Sequence, residues 1–166
     1  MGKEIERRFL VHSGIWQERG RPLASARHSL RQGFLSTVKE RVVRVRVVGD
    51  CGFLTIKGLT HGCTKAEFEY PIPLSDANQL LDALCEPPLI EKIRYLVPHA
   101  GLFWEVDEFL GLNQGLVLAE VELLDEQQPV SLPEWVAQEV SADPRYFNSN
   151  LSRHPFNTWQ EEDHPS

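Results

Sequence analysis

The three cysteines, Cys51, Cys63 and Cys85, are odd in number and form no C-x-x-C pair, which suits reduced thiols better than a disulfide framework. Cys51, His61 and Cys63 lie in a Gly-rich connection without a second ligand pair, and read as loop residues rather than a zinc site. No apolar run reaches the roughly 18 residues of a membrane helix. Nor does a basic start, apolar stretch and small-residue cleavage site mark an export signal. The expected location is therefore the cytoplasm. Positive charge is also scarce: 17 Lys and Arg against 24 Asp and Glu leave a formal charge of -7, with a pI near 5.4. That excludes a general nucleic-acid binder whose surface neutralises phosphates, but leaves room for a small, internally basic site. Internal repeats, low-complexity tracts and linkers are missing as well. The 166 residues, 42% of them hydrophobic, suit one domain with a real core. The expected organisation is a single domain over 1–158 and a polar tail over 159–166.

What is abundant is alternation. Runs at 4–11, 29–35, 41–48, 52–57, 66–72, 89–97, 102–109 and 117–124 alternate apolar and polar residues, and most are rich in Val, Ile, Phe, Tyr or Thr. Gly-Asp-Cys-Gly at 49–52 joins two of them as a tight hairpin connection would. Helical signals fill the gaps. Ser75 precedes Asp76 and an apolar series at Ala77, Leu80, Leu81 and Leu84, before Pro87 and Pro88 stop the helix. A short helix is predicted across 133–140, where Pro133 fits a first helical position, and another after Asp143 and Pro144. The class is α+β, dominated by β.

The strands share a chemical oddity. Their charged faces carry Glu4, Glu6 and Arg8; Arg44 and Arg46; Lys57; Glu67 and Glu69; Lys92 and Arg94; Asp107; and Glu120 and Glu122. Residues two apart in a strand share a face, so E-x-E occurs three times and basic-x-basic twice as same-sign pairs. A single charged face is the solvated side of a sheet. Repeated same-sign pairs cost stability unless counter-ions or ligands compensate them. An eight-stranded antiparallel barrel with a polar interior removes the contradiction, with its apolar faces outward under helices or a partner. Gathered carboxylates hold hard cations such as Mg²⁺, and gathered Arg and Lys grip phosphate oxygens. The ligand implied is a compact polyanion, and the chemistry phosphoryl transfer. Trp104 and Trp135 are expected outside the barrel or under a helix. Arg31 and Lys65 read as solvated in preference to extending the basic wall, and Arg7, opposite in face to Arg8, as exterior. The six histidines are scattered in or beside loops and carry no assigned role.

The run E-I-E-R-R-F-L-V resembles the N-terminal signature E-x-E-x-K of the CYTH superfamily, the triphosphate tunnel metalloenzymes. The resemblance continues in order through L-R-Q-G-F-L, R-V-R, L-T-I-K, E-F-E, E-K-I-R-Y, E-V-D-E-F-L-G, L-A-E-V-E-L and D-P-R-Y-F-N-S-N-L, from Glu4 to about Leu151. It implies an eight-stranded antiparallel β-tunnel that binds a triphosphate with Mg²⁺ or Mn²⁺ and hydrolyses or rearranges it. Carried over by position, Glu4, Glu6, Glu120 and Glu122 match the metal-holding acids, while Glu67, Glu69 and Asp107 match tunnel acids that hold a second metal or orient water. Arg8, Arg44, Arg46, Lys57, Lys92 and Arg94 match the cations that hold the phosphate chain. The catalytic set implied is Glu6, Glu120, Glu122 and Arg8, acting by attack of a metal-activated water on a terminal phosphoryl group.

Two positions depart from the family pattern. The final Lys of the signature is Arg8, which keeps the charge but does not readily give up a proton. Near the C-terminus, Asn148 and Ser149 stand where some relatives carry a Lys. The implied function is hydrolysis of inorganic tripolyphosphate or a related short triphosphate. Nucleoside or thiamine triphosphatase and class IV type adenylate cyclase remain open within the same tunnel. A non-catalytic polyphosphate sensor is disfavoured by the full acidic set. A structural β-sheet protein with charged surfaces would show no metal-dependent stabilisation by triphosphate. The partners expected are a triphosphate substrate and, through outward apolar strand positions, a second copy in a homodimer, with no nucleic acid and no membrane.

Overall fold

The computed structural model describes residues 2–160 and 164. The strands are β1 (Glu4–Val11), β2 (Ala26–Ser36), β3 (Val42–Val48), β4 (Cys51–Lys57), β5 (Thr64–Lys65), β6 (Glu67–Ile72), β7 (Glu86–His99), β8 (Leu102–Phe109), β9 (Val117–Glu122) and β10 (Val136–Glu139). The α-helices are α1 (Ser13–Ile15), α2 (Leu74–Ala83) and α3 (Asn148–Arg153). One antiparallel sheet runs β10-β1-β9-β8-β7-β2-β3-β4-β6, with β5 also on β1. It curls into a nearly closed barrel: Glu4 pairs with Lys65 of β5, and Gly2 and Glu67 exchange backbone hydrogen bonds at 2.9 and 3.3 Å. All eight predicted strands are present. The additions are the two short strands β5 and β10.

The period-two pattern does what a closed sheet requires. Outward positions Phe9, Tyr95, Val97, Trp104, Val106 and Val121 pack against Trp16 and Trp135. Trp104, fully buried, meets Trp135 edge-on at 5.9 Å, and Trp135 meets Trp16 at 5.0 Å. These tryptophans cover the outside of the barrel, as expected, rather than lining its interior. On another side α2 lays Ala77 and Leu81 over Val45, Leu54 and Val47. Gly52 permits that approach, because a Cβ there would stand 2.7 Å from the Ala77 Cβ. Ile56, Phe68 and Tyr70, on the β4 and β6 strands, remain exposed.

The inward faces change character along the barrel. The charged positions give way at one end to Leu10, Phe34, Val42, Ile90, Phe109 and Leu118, which pack with Tyr146, Leu151, Phe156 and Trp159 of the C-terminal segment. One end of the tunnel is thus closed by an apolar floor. Packing continues through Trp159, which is buried, one residue into the predicted polar tail. Residues 161–163, 165 and 166 of that tail lie outside the described residues.

Three local expectations need correction. Residues 133–140 are not a helix: Pro133 opens a turn, and Val136–Glu139 forms β10 on β1. Val136 is buried beside Trp135, and sheet pairing across a sequence gap invisible to local propensity outweighs the proline signal. Helix α2 starts at Leu74 and ends at Ala83, so Leu84 is its exposed C-cap rather than part of the buried face. Pro87 and Pro88 lie past the helix end, inside β7. Among the described residues no helix is long and apolar enough to cross a membrane.

Candidate active site

The inward charges border a cavity of about 610 Å³. Of the predicted site residues, Glu6, Arg8, Arg44, Lys57, Lys92, Arg94 and Glu120 line it. Register explains the convergence. Arg8 is opposite Glu120 and Glu6 opposite Glu122 on β1 and β9, Glu105 is opposite Glu120 on β8 and β9, and Arg94 is opposite Asp107 on β7 and β8.

Glu6 and Glu120 form the acidic centre. Arg8 Nε donates to Glu120 Oε1 at 3.1 Å and its Nη2 to Glu6 Oε1 at 3.1 Å. Burial raises the Glu6 pKa, and the neighbouring Glu120 charge adds to the rise. For Glu120 burial also acts upward, but Arg8, Arg94 and Lys92 outweigh it and hold the carboxyl well below its ordinary range.

Beside them is a fully committed triad. Both Asp107 oxygens are engaged, by Arg94 Nε at 2.7 Å, Arg94 Nη2 at 2.9 Å and Lys92 Nζ at 2.8 Å. Burial raises Asp107, and the two cations more than reverse it. Lys92 is pushed down to about 8 by burial, with Asp107 opposing the shift. Its Nζ also donates to Asn148 Oδ1 at 2.9 Å, an atom that accepts from Gln32 Nε2 at 2.8 Å. Asn148 therefore ties α3 to the buried Lys92.

The outer acids are arranged differently. Lys57 Nζ contacts Glu4 Oε1 at 3.2 Å and Glu67 Oε2 at 3.3 Å, and Glu69 holds Arg46 Nη2 at 2.7 Å. Burial raises Glu4. For Glu67 it also acts upward, but a hydrogen bond with Glu4 and the Lys57 charge turn the net shift down. Glu122 is exposed, raised by partial burial and then by Glu4. Glu4, Glu67, Glu69, Glu122, Arg46 and Asp107 do not border the cavity.

Arg44 is the exception among the predicted cations. Its Nη2 reaches Thr55 Oγ1 at 3.4 Å, its buried Nε has no partner, and among the described residues it forms no ion pair. Burial lowers its pKa, and Arg46 and Arg94 lower it further.

Several site residues escaped the sequence reading. Lys65, expected in solvent, points inward, with Nζ 3.3 Å from Glu6 Oε1 and 3.6 Å from Glu4 Oε1. Arg31 does face outward, toward Asp82 and Asn78, and Arg7 pairs on the exterior with Glu139 at 2.7 Å. Glu105 holds Arg94 Nη1 at 2.7 Å, and the E-V-D spacing to Asp107 was its available signal. Lys39 and Arg153 also border the cavity, from a loop and from α3, where no alternation marks them. In all, eight cationic side chains (Arg8, Lys39, Arg44, Lys57, Lys65, Lys92, Arg94 and Arg153) face two carboxylates, Glu6 and Glu120.

Comparison with known proteins agrees with this geometry. The CYTH domain family model matches residues 2–153. An inorganic triphosphatase of Acetivibrio thermocellus is 46% identical over 161 residues, covering 97% of this chain and 100% of that protein. One of Nitrosomonas europaea is 36% identical, covering 90% and 96%. A crystal structure of an inorganic triphosphatase superposes with a TM-score of 0.64 at 33% identity, covering 92% of this chain and 95% of that one. With the tunnel, its inward acids and its inward cations in place, and a family match across residues 2–153, this chain belongs to the CYTH domain family.

Proposed function

We propose that the protein is a divalent-metal-dependent hydrolase of short triphosphates, with inorganic tripolyphosphate as its substrate. The observation that carries this reading is the excess of cations around the cavity: eight border it against two carboxylates, and positive charge prevails even with Glu4, Glu67, Glu105 and Asp107 behind them, inside a chain of net charge -7. Such a site selects a small polyanion, and an apolar floor limits how far it can enter. Relatives bearing the triphosphatase name cover nearly all of the chain.

Triphosphatases of this family are metal-dependent, and the acidic centre fits such a cofactor. Glu6 and Glu120 offer adjacent hard oxygens whose mutual repulsion asks for a cation. Among the described residues no three Asp, Glu, His or Cys side chains gather as a ready-made metal cluster. A pair of carboxylates is compatible with Mg²⁺ or Mn²⁺, since Mg²⁺ commonly takes one or two carboxylates and completes its shell with water and substrate phosphates. Bound there, the cation would neutralise phosphoryl charge and make a water molecule more acidic. Asp107 and Glu69 already hold arginines and serve as positioning acids. Arg44, Lys57, Lys92 and Arg94 hold the phosphate oxygens and offset the charge that builds on the leaving diphosphate during in-line displacement. Lys65 and Arg8 extend that wall next to Glu6.

The reading is tested by phosphate release from tripolyphosphate, ATP, GTP, thiamine triphosphate and pyrophosphate, with Mg²⁺, Mn²⁺ or chelator, and by cyclic AMP formation from ATP. Metal-dependent release greatest with tripolyphosphate supports it. Preference for a nucleotide or thiamine ester moves the substrate, and binding without turnover moves the protein to a sensor.

A pH dependence follows from Lys92. Its ammonium is charged below about 8 and loses its proton as the pH rises through that value. Since kcat/KM reports groups of the free enzyme, kcat/KM for tripolyphosphate is expected to fall above about pH 8. Lys92→Met should show a lower plateau without that descending limb. A limb that persists in the variant belongs to another group.

A further inference from the structure

Arg8 stands where a metal on the acidic centre would compete with it. Its guanidinium donates to one oxygen of each acid, Glu120 Oε1 and Glu6 Oε1, both at 3.1 Å. The residue is 6% exposed, yet it borders the cavity, so the same group faces both the carboxylates and the space for substrate. Its third contact is with an aromatic face: Cζ lies 5.3 Å from the centroid of Phe147, itself a cavity residue.

A pair of neighbouring buried carboxylates is costly unless a cation accompanies it. In this structure that cation is Arg8, assisted by Lys65 at Glu6 Oε1. A hard divalent cation needs the same carboxylates, and its charge would repel a guanidinium held against them. The guanidinium has an alternative. Phosphate oxygens in the cavity suit its planar, two-pronged donors, and the Phe147 ring can stay in contact with it during such a move.

We infer that Arg8 is the resident counter-ion of the Glu6 and Glu120 pair, and that a divalent cation binds there by exchange with its guanidinium, which passes to the phosphate chain. The inference rests on the proposed metal and triphosphate site. Its consequence is a built-in coupling: metal alone binds weakly because it must displace Arg8, and triphosphate removes that penalty by receiving the displaced group.

The test is calorimetric titration with Mn²⁺ alone, without phosphate, on the wild-type chain and on Arg8→Gln, Arg8→Lys, Arg44→Gln and Glu6→Gln, each checked for folding by circular dichroism. Arg8→Gln is expected to bind Mn²⁺ about tenfold or more tightly than wild type, since close buried charge pairs are worth at least that factor. Arg8→Lys, whose compact ammonium cannot span both carboxylates, should fall between. Arg44→Gln removes a cavity cation that touches no carboxylate and should change the affinity by less than about threefold. Equal tightening in Arg8→Gln and Arg44→Gln would mean a general field effect and overturn the exchange. No tightening in either Arg8 variant, with binding lost in Glu6→Gln, overturns the exchange but leaves the metal site standing. No Mn²⁺ binding by any variant overturns the metal site itself. Should Arg8→Gln not fold, Arg8→Lys against Arg44→Gln decides the matter.

Discussion

Glu120→Gln is expected to lower kcat for tripolyphosphate by about a hundredfold or more, the scale of losing one preorganised charged group from an active site, while the barrel still folds. Glu120 is the point where the site's charges meet: Arg8 contacts it directly at 3.1 Å, and Arg94 and Lys92 act on it through space. Glutamine keeps the size and one accepting oxygen but removes the charge. Metal affinity and the placement of the surrounding cations therefore change together. The same substitution should lower the melting temperature at neutral pH. Burial works against the ionised Glu120, yet the cations hold its folded pKa well below the ordinary value of 4.5. A depressed carboxyl contributes stability above its unfolded pKa and loses it as the pH falls through the folded one. The gap in melting temperature between wild type and variant should consequently narrow below about pH 4, near the unfolded carboxyl range. Phosphate release and thermal melts across pH check both parts. Turnover within about threefold of wild type would remove Glu120 from the catalytic set.

The second large effect is expected at Arg44, with opposite signs for activity and stability. Arg44 carries a buried Nε without a partner and lies close enough to Arg46 and Arg94 to be repelled by both. A cation kept in such surroundings is a cost to the empty protein that a bound anion would repay. Arg44→Met should raise the melting temperature of the unliganded protein and lower kcat/KM by about a hundredfold, the range for breaking a buried charged contact with a ligand. Tripolyphosphate with metal should reverse the stability order, because ligand binding to the folded state stabilises wild type more. Melts with and without ligand, alongside steady-state kinetics, make the measurement. A melting temperature that falls with kcat/KM unchanged would make Arg44 a structural charge.

The two effects differ because the sheet register sorts the charges into satisfied and unsatisfied ones. Asp107 offsets part of the charge of Arg94 and Lys92, which still border the cavity, whereas Arg44 forms no ion pair among the described residues. Stability of the empty tunnel and affinity for a polyanion are set by different members of what looks, in sequence, like one uniform pattern.

Alternation alone was enough to sort the strand charges into shared faces. A strand with period two has only two faces, so Glu4 with Glu6, Arg44 with Arg46, Lys92 with Arg94 and Glu120 with Glu122 had to share theirs. Repeated same-sign pairs then pointed to a closed, polar interior. The apolar floor was also written in the strands, where Leu10 follows Arg8 at the same parity and Ile90 precedes Lys92. What alternation cannot express is which strand lies beside which. That choice brought Arg8 against Glu120 and Arg94 against Asp107, left Arg44 without an ion pair among the described residues, and put Glu122 at an exposed position away from the cavity lining. Lys65 was hidden because β5 has only two residues, too few to show a period, and its inward direction comes from pairing with Glu4. Local pattern determined the two faces of each strand; long-range register, set by barrel closure and by the C-terminal segment packed against its floor, decided which charges cancel and which wait for a ligand.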